Sequence, residues 1–192
     1  MGSSTRGFSV VEMLVVVAVL GFALMIGLSA LSDLFKRQAL RNASNDLKAF
    51  AQRVQMEKDR QNTATFLRVR SWTAAGTPVE LILDTNANGL PDDGAFATYT
   101  LPAELALSDT SATGQAFDPQ WVAGTDSTSS YLYLQCDFLG RAIGGTTNVQ
   151  ISAPATVPMT HRDMISGSLK PKVVFTLRIN PVWSASIAQT VQ

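Results

Sequence analysis

One uninterrupted apolar stretch limits what this chain can fold into. From Phe8 to Leu31 the sequence reads FSVVEMLVVVAVLGFALMIGLSAL, with Ser9, Glu12 and Ser29 as its only polar side chains. At ~1.5 Å per residue, a helix of this length reaches roughly 36 Å, enough to cross a hydrocarbon core of about 30 Å. A cleavable secretory signal is the rival reading, with Arg6 ahead of the run and a cut near Gly27, Leu28 and Ser29. Such signals carry apolar regions of only ~7–15 residues, and a carboxylate inside one is out of place. The run therefore predicts a membrane-spanning helix, and Glu12 becomes the residue to explain.

In a helix starting at Phe8, Glu12 lies about 6 Å deep. A carboxylate at a bilayer centre costs ~2.5–3.5 kcal/mol on insertion scales, but near a helix end it can partly snorkel. One account is local: a carboxylate near a helix N-terminus is favoured by the helix dipole, by ~0.3–1 kcal/mol. The other account uses its neighbours. Met1-Gly2-Ser3-Ser4-Thr5-Arg6-Gly7 is a short polar leader with one basic residue, followed by Phe8 and, four residues later, Glu12. This arrangement resembles the class III signal of type IV pilin-like proteins. The resemblance implies that a prepilin peptidase cuts between Gly7 and Phe8 and N-methylates the new Phe8 amine. It also implies that Glu12 pairs with the Phe8 amine of an adjacent subunit during assembly. Such pairing is physically reasonable, because a charge in lipid is tolerated when it faces a partner.

Two features depart from the expected pattern. Lys36, Arg37 and Arg41 follow the span against one nearby acid, Asp33, while Arg6 alone precedes it. The positive-inside count thus favours the orientation opposite to the leader-in, domain-out topology that the resemblance implies. The family also commonly carries a proline late in the apolar segment, where this chain has Gly21, Gly27 and Ser29.

Beyond the span a helical period continues. Leu40, Ala43, Leu47, Phe50, Ala51 and Val54 recur at three- and four-residue steps, with Arg41, Asn45, Lys48, Gln52 and Arg53 between them. This predicts one continuous helix from about Phe8 to Arg60, whose second half lays an apolar stripe on a folded domain. After Asn62 the texture changes to short β-type runs separated by Gly, Pro, Ser and Thr. Strands are expected at 65–69, 79–83, 95–100, 131–138, 149–151 and 173–179, with a further one at 182–187. The long 108–130 and 154–171 stretches read as insertions or variable loops. The expected fold class is α+β, a long N-terminal helix on an antiparallel β-rich domain. The expected organisation is a leader at 1–7, a membrane half of the helix at 8–31, an amphipathic half at 32–62 and a β-rich domain at 63–192.

Leu134-Gln135-Cys136-Asp137-Phe138-Leu139-Gly140-Arg141-Ala142 resembles the strand-turn element, with Phe shortly before Gly-Arg, of H-type pseudopilins and related minor pilins. The order of helix, strands, Asp/Asn/Gly loop and strands is similar to that group as well. That loop, Asp84-Thr85-Asn86-Ala87-Asn88-Gly89-Leu90-Pro91-Asp92-Asp93, has oxygen side chains at its first, third and fifth positions, Gly at the sixth and an acid at the ninth. These positions match the start of a calcium loop, with Asp84, Asn86, Asn88 and Asp92 as ligands and Asp93 as a substitute. Its twelfth position, where a bidentate Glu belongs, is Ala95. The alternative is an Asn-Gly turn with solvated acids, so calcium is the one cofactor to test.

Charge and composition narrow the remaining classes. Fifteen basic residues balance fifteen acidic ones, so no basic excess points to nucleic acid. Cys136 and His161 are each the only residue of their kind, which excludes an internal disulfide and a Cys/His zinc cluster. His161 reads as a loop residue, Trp72, Trp121 and Trp183 as core or interface anchors, and Asp109, Asp118 and Asp126 as turn residues. No phosphate loop, nucleophile elbow or paired-His arrangement is visible, so a non-catalytic role is expected.

The family resemblance implies a minor pilin of a type IV pilus, at its tip or in a priming complex, with other minor and major pilins as partners and a tip adhesin as a further one. It implies single-pass residence in the inner membrane of a Gram-negative cell before assembly into an extracellular filament. A pseudopilin of a type II secretion system is the first alternative. A membrane-tethered ligand-binding module is the second.

Overall fold

The computed structural model describes residues 9–70, 76–91, 94–107, 120–126, 129–144, 149–162 and 173–191. Among them are one helix, α1 (Val10–Gln61), and eleven strands, all paired antiparallel. The chain divides into two compact units between Gln38 and Ala39, so the boundary falls inside α1 and not at its end. The first unit contains the apolar part of the helix, and every described side chain from Val10 to Leu28 is exposed.

In the second unit, α1 buries Leu40, Ala43, Leu47, Ala51 and Val54, none more than 3% exposed. These are the expected stripe positions, and Phe50 adds a tilted contact with the Tyr99 ring, 6.1 Å between centroids. The helix stops where Asn62 takes a left-handed conformation, φ 51°, which ends the intrahelical ladder. Lys58 and Arg60 in its last turn face the negative end of the helix dipole.

Chain reversal then brings β1 (Thr65–Arg70) back along the helix, where Thr65 Oγ1 donates to the Val54 carbonyl at 3.1 Å. β1 is central to the larger sheet, ordered β3-β2-β1-β6-β7-β8, with β5 pairing on β6 as well. Its members are β2 (Pro78–Leu83), β3 (Ala95–Thr100), β5 (Val122–Thr125), β6 (Ser130–Cys136), β7 (Ala142–Gly144) and β8 (Val149–Gln150). Alternation along β1 divides its side chains between two clusters: Leu67 and Val69 join the helix core, while Phe66 packs with Ile82, Tyr131 and Tyr133. Arg68 and Arg70, in register with Phe66, both hold Glu80 Oε2, at 2.6 and 2.9 Å, and stack on the Tyr131 ring. The charged pair is thus kept on the face away from α1.

A four-stranded sheet, β11-β10-β9-β4, closes the core. It comprises β4 (Leu105–Leu107), β9 (Ala155–His161), β10 (Val173–Ile179) and β11 (Ala185–Val191). Leu105, Leu107, Val157, Met159, Leu177 and Ile179 bury into the same cluster as the α1 stripe. β9 overturns the reading of 154–171 as a variable loop over 155–161, residues 163–171 lying outside the described ones, and β5 with buried Trp121 does the same for the end of 108–130. Both strands were hidden by interruptions: Pro158 breaks the apolar run of β9, and β5 is a short Val-Ala-Gly-Thr segment. The last expected strand begins at Ala185 instead of Val182, because Val182 makes only an isolated bridge to Arg141.

Candidate functional site

The first candidate site is the start of α1. Ser9 precedes the helix, and its Oγ accepts from Val11 N at 3.3 Å. Glu12 Oε2 reaches back to accept from Ser9 N at 2.9 Å, and Met13 N closes the first turn on the Ser9 carbonyl. This Ser-x-x-Glu arrangement is a variant of the capping box, with Ser9 Oγ on the second helical amide, Val11 N, in place of the third, and it satisfies amides the helix leaves unpaired. The motif is visible as Ser9-Val10-Val11-Glu12, and it adds a hydrogen bond to the dipole interaction as the local account of Glu12. Gly7 and Phe8 lie outside the described residues, so the expected cleavage and methylation site carries no geometry. From Val10 onward the helix is long and apolar enough to cross a membrane, and none of its apolar window is buried in the protein.

The second candidate is the loop after β2. Asp84 is 5% exposed, and its two carboxylate oxygens accept from Asn88 N and Gly89 N, each at 3.1 Å. Asn86 Oδ1 also accepts from Asn88 N, at 3.1 Å, and Asn88 Oδ1 from Leu90 N, at 2.8 Å. The loop is tied down by Thr63 Oγ1 to the Asp84 carbonyl, at 2.8 Å, and by Arg68 to the Pro91 carbonyl. Successive side-chain oxygens folded onto amides further along are Asx turns, which let Ala87, at φ 54°, sit in the left-handed region beside Gly89. Asp84, Asn86 and Asn88 therefore share one loop as expected, while Asp92 and Asp93 lie outside the described residues. No group of three His, Cys, Asp or Glu placed to hold a metal ion occurs among the described residues.

The arrangement accounts for each of these oxygens through the loop's own backbone. Asp84→Ala would leave Gly89 N unpaired, while Asn88 N keeps the Asn86 side chain, and is expected to destabilise the domain by ~1–3 kcal/mol. Melting temperature should be the same in calcium and in chelator; a rise on adding calcium would favour the metal reading.

The third feature is the turn between β6 and β7. Asp137 Oδ1 accepts from Leu139 N at 3.0 Å and Arg141 N at 2.8 Å, while Oδ2 takes the Arg141 guanidinium, Nε at 2.8 Å. Gly140 adopts φ 74°, which lets its carbonyl receive Trp183 N at 3.0 Å. Lys58 Nζ donates to the Phe138 carbonyl at 3.3 Å, so α1 holds the turn from the other side. Phe138 and Leu139 stay 68% and 62% exposed at its tip. The Gly-Arg pair thus has a structural role, and Asp137 organises it.

Trp121 and Trp183 are buried; their indole N–H groups donate to the Thr156 carbonyl at 3.2 Å and the Ala51 carbonyl at 2.8 Å. Trp72, Asp109 and Asp118 lie outside the described residues. Asp126 is a turn residue, accepting from Ser129 N at 2.9 Å, and it also pairs with Arg70. His161 is 6% exposed at the end of β9 and not in a loop, because the stretch that contains it is a core strand.

Burial pushes the Cys136 thiol up to about 12, with Lys58 opposing and Asp137 adding to the shift. The folded state therefore keeps its thiol proton where the unfolded chain has lost it. This contribution to stability is complete below the unfolded thiol's ordinary range and is lost as pH rises from there towards 12. Cys136 should resist iodoacetamide at mildly alkaline pH until denaturant is added. Rapid labelling of the folded chain would contradict the burial.

These features define an α+β protein whose described residues include one helix long and apolar enough to span a membrane and an antiparallel β-rich domain. No protein-family model, curated protein or solved structure matches the chain.

Proposed function

We propose that the chain is a minor pilin, a non-catalytic structural subunit of a type IV pilus, placed at the tip or in the complex that primes assembly. One observation carries this reading: an apolar helix surface, exposed from Val10 to Leu28, that begins with a single carboxylate at Glu12 and continues unbroken into the helix of a β-rich domain. Each large apolar side chain on such a surface gains roughly 1.5–3 kcal/mol when it leaves water, so the segment demands lipid or other helices around it. A helix that first resides in lipid and then packs with its counterparts in neighbouring subunits meets that demand in both states. The resemblance of Gly7-Phe8 to Glu12 supplies the link between them: cleavage after Gly7 creates the Phe8 amine that Glu12 of a neighbour neutralises. Before assembly the chain resides in the inner membrane, and afterwards in an extracellular filament with other pilins.

Co-production with a prepilin peptidase should shorten the chain by its leader and leave an N-methylated Phe8, read by intact-mass and N-terminal analysis. Deletion of the gene should reduce piliation. Persistence of the leader, or loss of protein secretion with intact pili, would overturn the assignment, the latter in favour of a type II secretion pseudopilin.

A further inference from the structure

A short segment of α1 lies between the apolar run and the folded domain. Leu31, Leu34 and Phe35 are 48%, 62% and 71% exposed, and the domain unit starts only at Ala39. Lys36 and Arg37 follow directly, Lys36 half-buried and Arg37 exposed, and Asp33 is the single acid among residues 31–37. With Val10 at one edge of a ~30 Å hydrocarbon core, a rise of ~1.5 Å per residue places residues 31–37 at roughly 31–41 Å from that edge. Headgroups add only about 5–7 Å beyond each edge, so Leu31 lies at the acyl boundary of the opposite leaflet. An average tilt of ~20° brings residues 34–37 to roughly 34–38 Å, the headgroup level and its outer edge, and helical side chains lean back from there towards the boundary.

Leu31, Leu34 and Phe35 are spaced to share one helix face, continuous with the apolar run. An exposed aromatic ring and two leucines beside paired cations combine apolar bodies that suit the acyl boundary with charges that suit phosphate.

We propose that residues 31–37 form an interfacial anchor selective for anionic phospholipid headgroups, with Leu31, Leu34 and Phe35 in the acyl boundary and Lys36 and Arg37 on the phosphates. This rests on the membrane-spanning part of the function proposed above. Charge complementarity and continuity with the span select lipid as the occupant. The anchor also gives a role to the cations that follow the span against the positive-inside count: they hold the segment at a phosphate layer once it has crossed. During assembly the same contacts must be released, so the anchor opposes extraction of the subunit until neighbouring helices replace the lipid.

The test uses the full chain in mixed phosphatidylcholine–phosphatidylglycerol vesicles, excised with a polymer into small discs whose lipid ratio is compared with that of the bulk. Phosphatidylglycerol should be enriched about two- to fivefold, as expected for two cations near an anionic surface. The enrichment should fall to the bulk ratio in high salt and in the Lys36→Gln/Arg37→Gln variant, and persist in Glu12→Gln. Enrichment unchanged in the double variant overturns the proposal. So does a bulk lipid ratio in the original chain together with poor filament incorporation of the double variant, which would assign the surface to a neighbouring subunit. Failure of the original chain to enter the vesicles at all would instead remove the membrane reading beneath it.

Discussion

Trp183→Ala is expected to destabilise the folded domain by ~3–5 kcal/mol, a large share of the ~5–15 kcal/mol that holds a domain together. Trp183 is 1% exposed, and its indole N–H crosses 132 residues of sequence to the Ala51 carbonyl. Its backbone N–H is fixed on Gly140, so one residue joins α1, the β6–β7 turn and the approach to β11. Trp183→Phe keeps most of the buried ring and loses the indole donor. Ala51 lies inside the helix and retains its helical acceptor role, so that variant should cost only about 0.5–1.5 kcal/mol. Urea unfolding of the detergent-solubilised chain, followed by near-ultraviolet circular dichroism, separates the two. Equal effects would mean that the hydrogen bond, and not the packing, dominates; a loss under ~1 kcal/mol for alanine would remove Trp183 from the centre of the core.

Periodicity made the helix legible because its two halves are uniform for different reasons. Apart from Glu12, Val10 to Leu28 is apolar all round, while Leu40 to Val54 keeps a three-four stripe, and no Pro interrupts the passage between them. Strands β1, β2, β3 and β10 were legible for a related reason: each is a six- or seven-residue run rich in β-branched or aromatic side chains, bounded by turn residues. β9 was not, since Ala155-Thr156-Val157-Pro158-Met159-Thr160-His161 mixes a proline, two threonines and a histidine that look solvated until a second sheet is present to bury them. Its burial is set by β10 and β4, partners remote in sequence, and no local pattern encodes that pairing.

The sites show the same division. Asp84, Asn86 and Asn88 were recognisable as one loop because Asx turns are encoded within a few residues, whereas the choice of oxygen partners depends on backbone directions. Asp137 was overlooked beside the more conspicuous Phe138 and Gly140-Arg141. A carboxylate two residues before one amide and four before another is nevertheless a local signature of a side-chain-organised turn.

The second large effect concerns Glu12, and the capping box sharpens how it must be tested. Glu12→Ala removes two things together, the bond to Ser9 N and the negative charge. Loss of a cap costs about 0.5–2 kcal/mol and frays the start of the helix, so poor assembly of that variant would have two explanations. Gln serves at this position of a capping box, so Glu12→Gln keeps the local structure and deletes only the charge. If Glu12 neutralises a partner's amine in a low-dielectric filament, Glu12→Gln leaves an unpaired ammonium at every such contact, a penalty of several kcal/mol. Leader cleavage, membrane insertion and helicity should then match the original chain, while incorporation into filaments falls at least tenfold, read by immunoblot of sheared filaments against the membrane fraction. A Ser9→Ala variant is the converse control: it weakens the cap, keeps the charge and should incorporate nearly normally. Normal incorporation of Glu12→Gln alongside failure of Ser9→Ala would reduce Glu12 to a helix-capping residue, because the two variants would then rank by cap and not by charge.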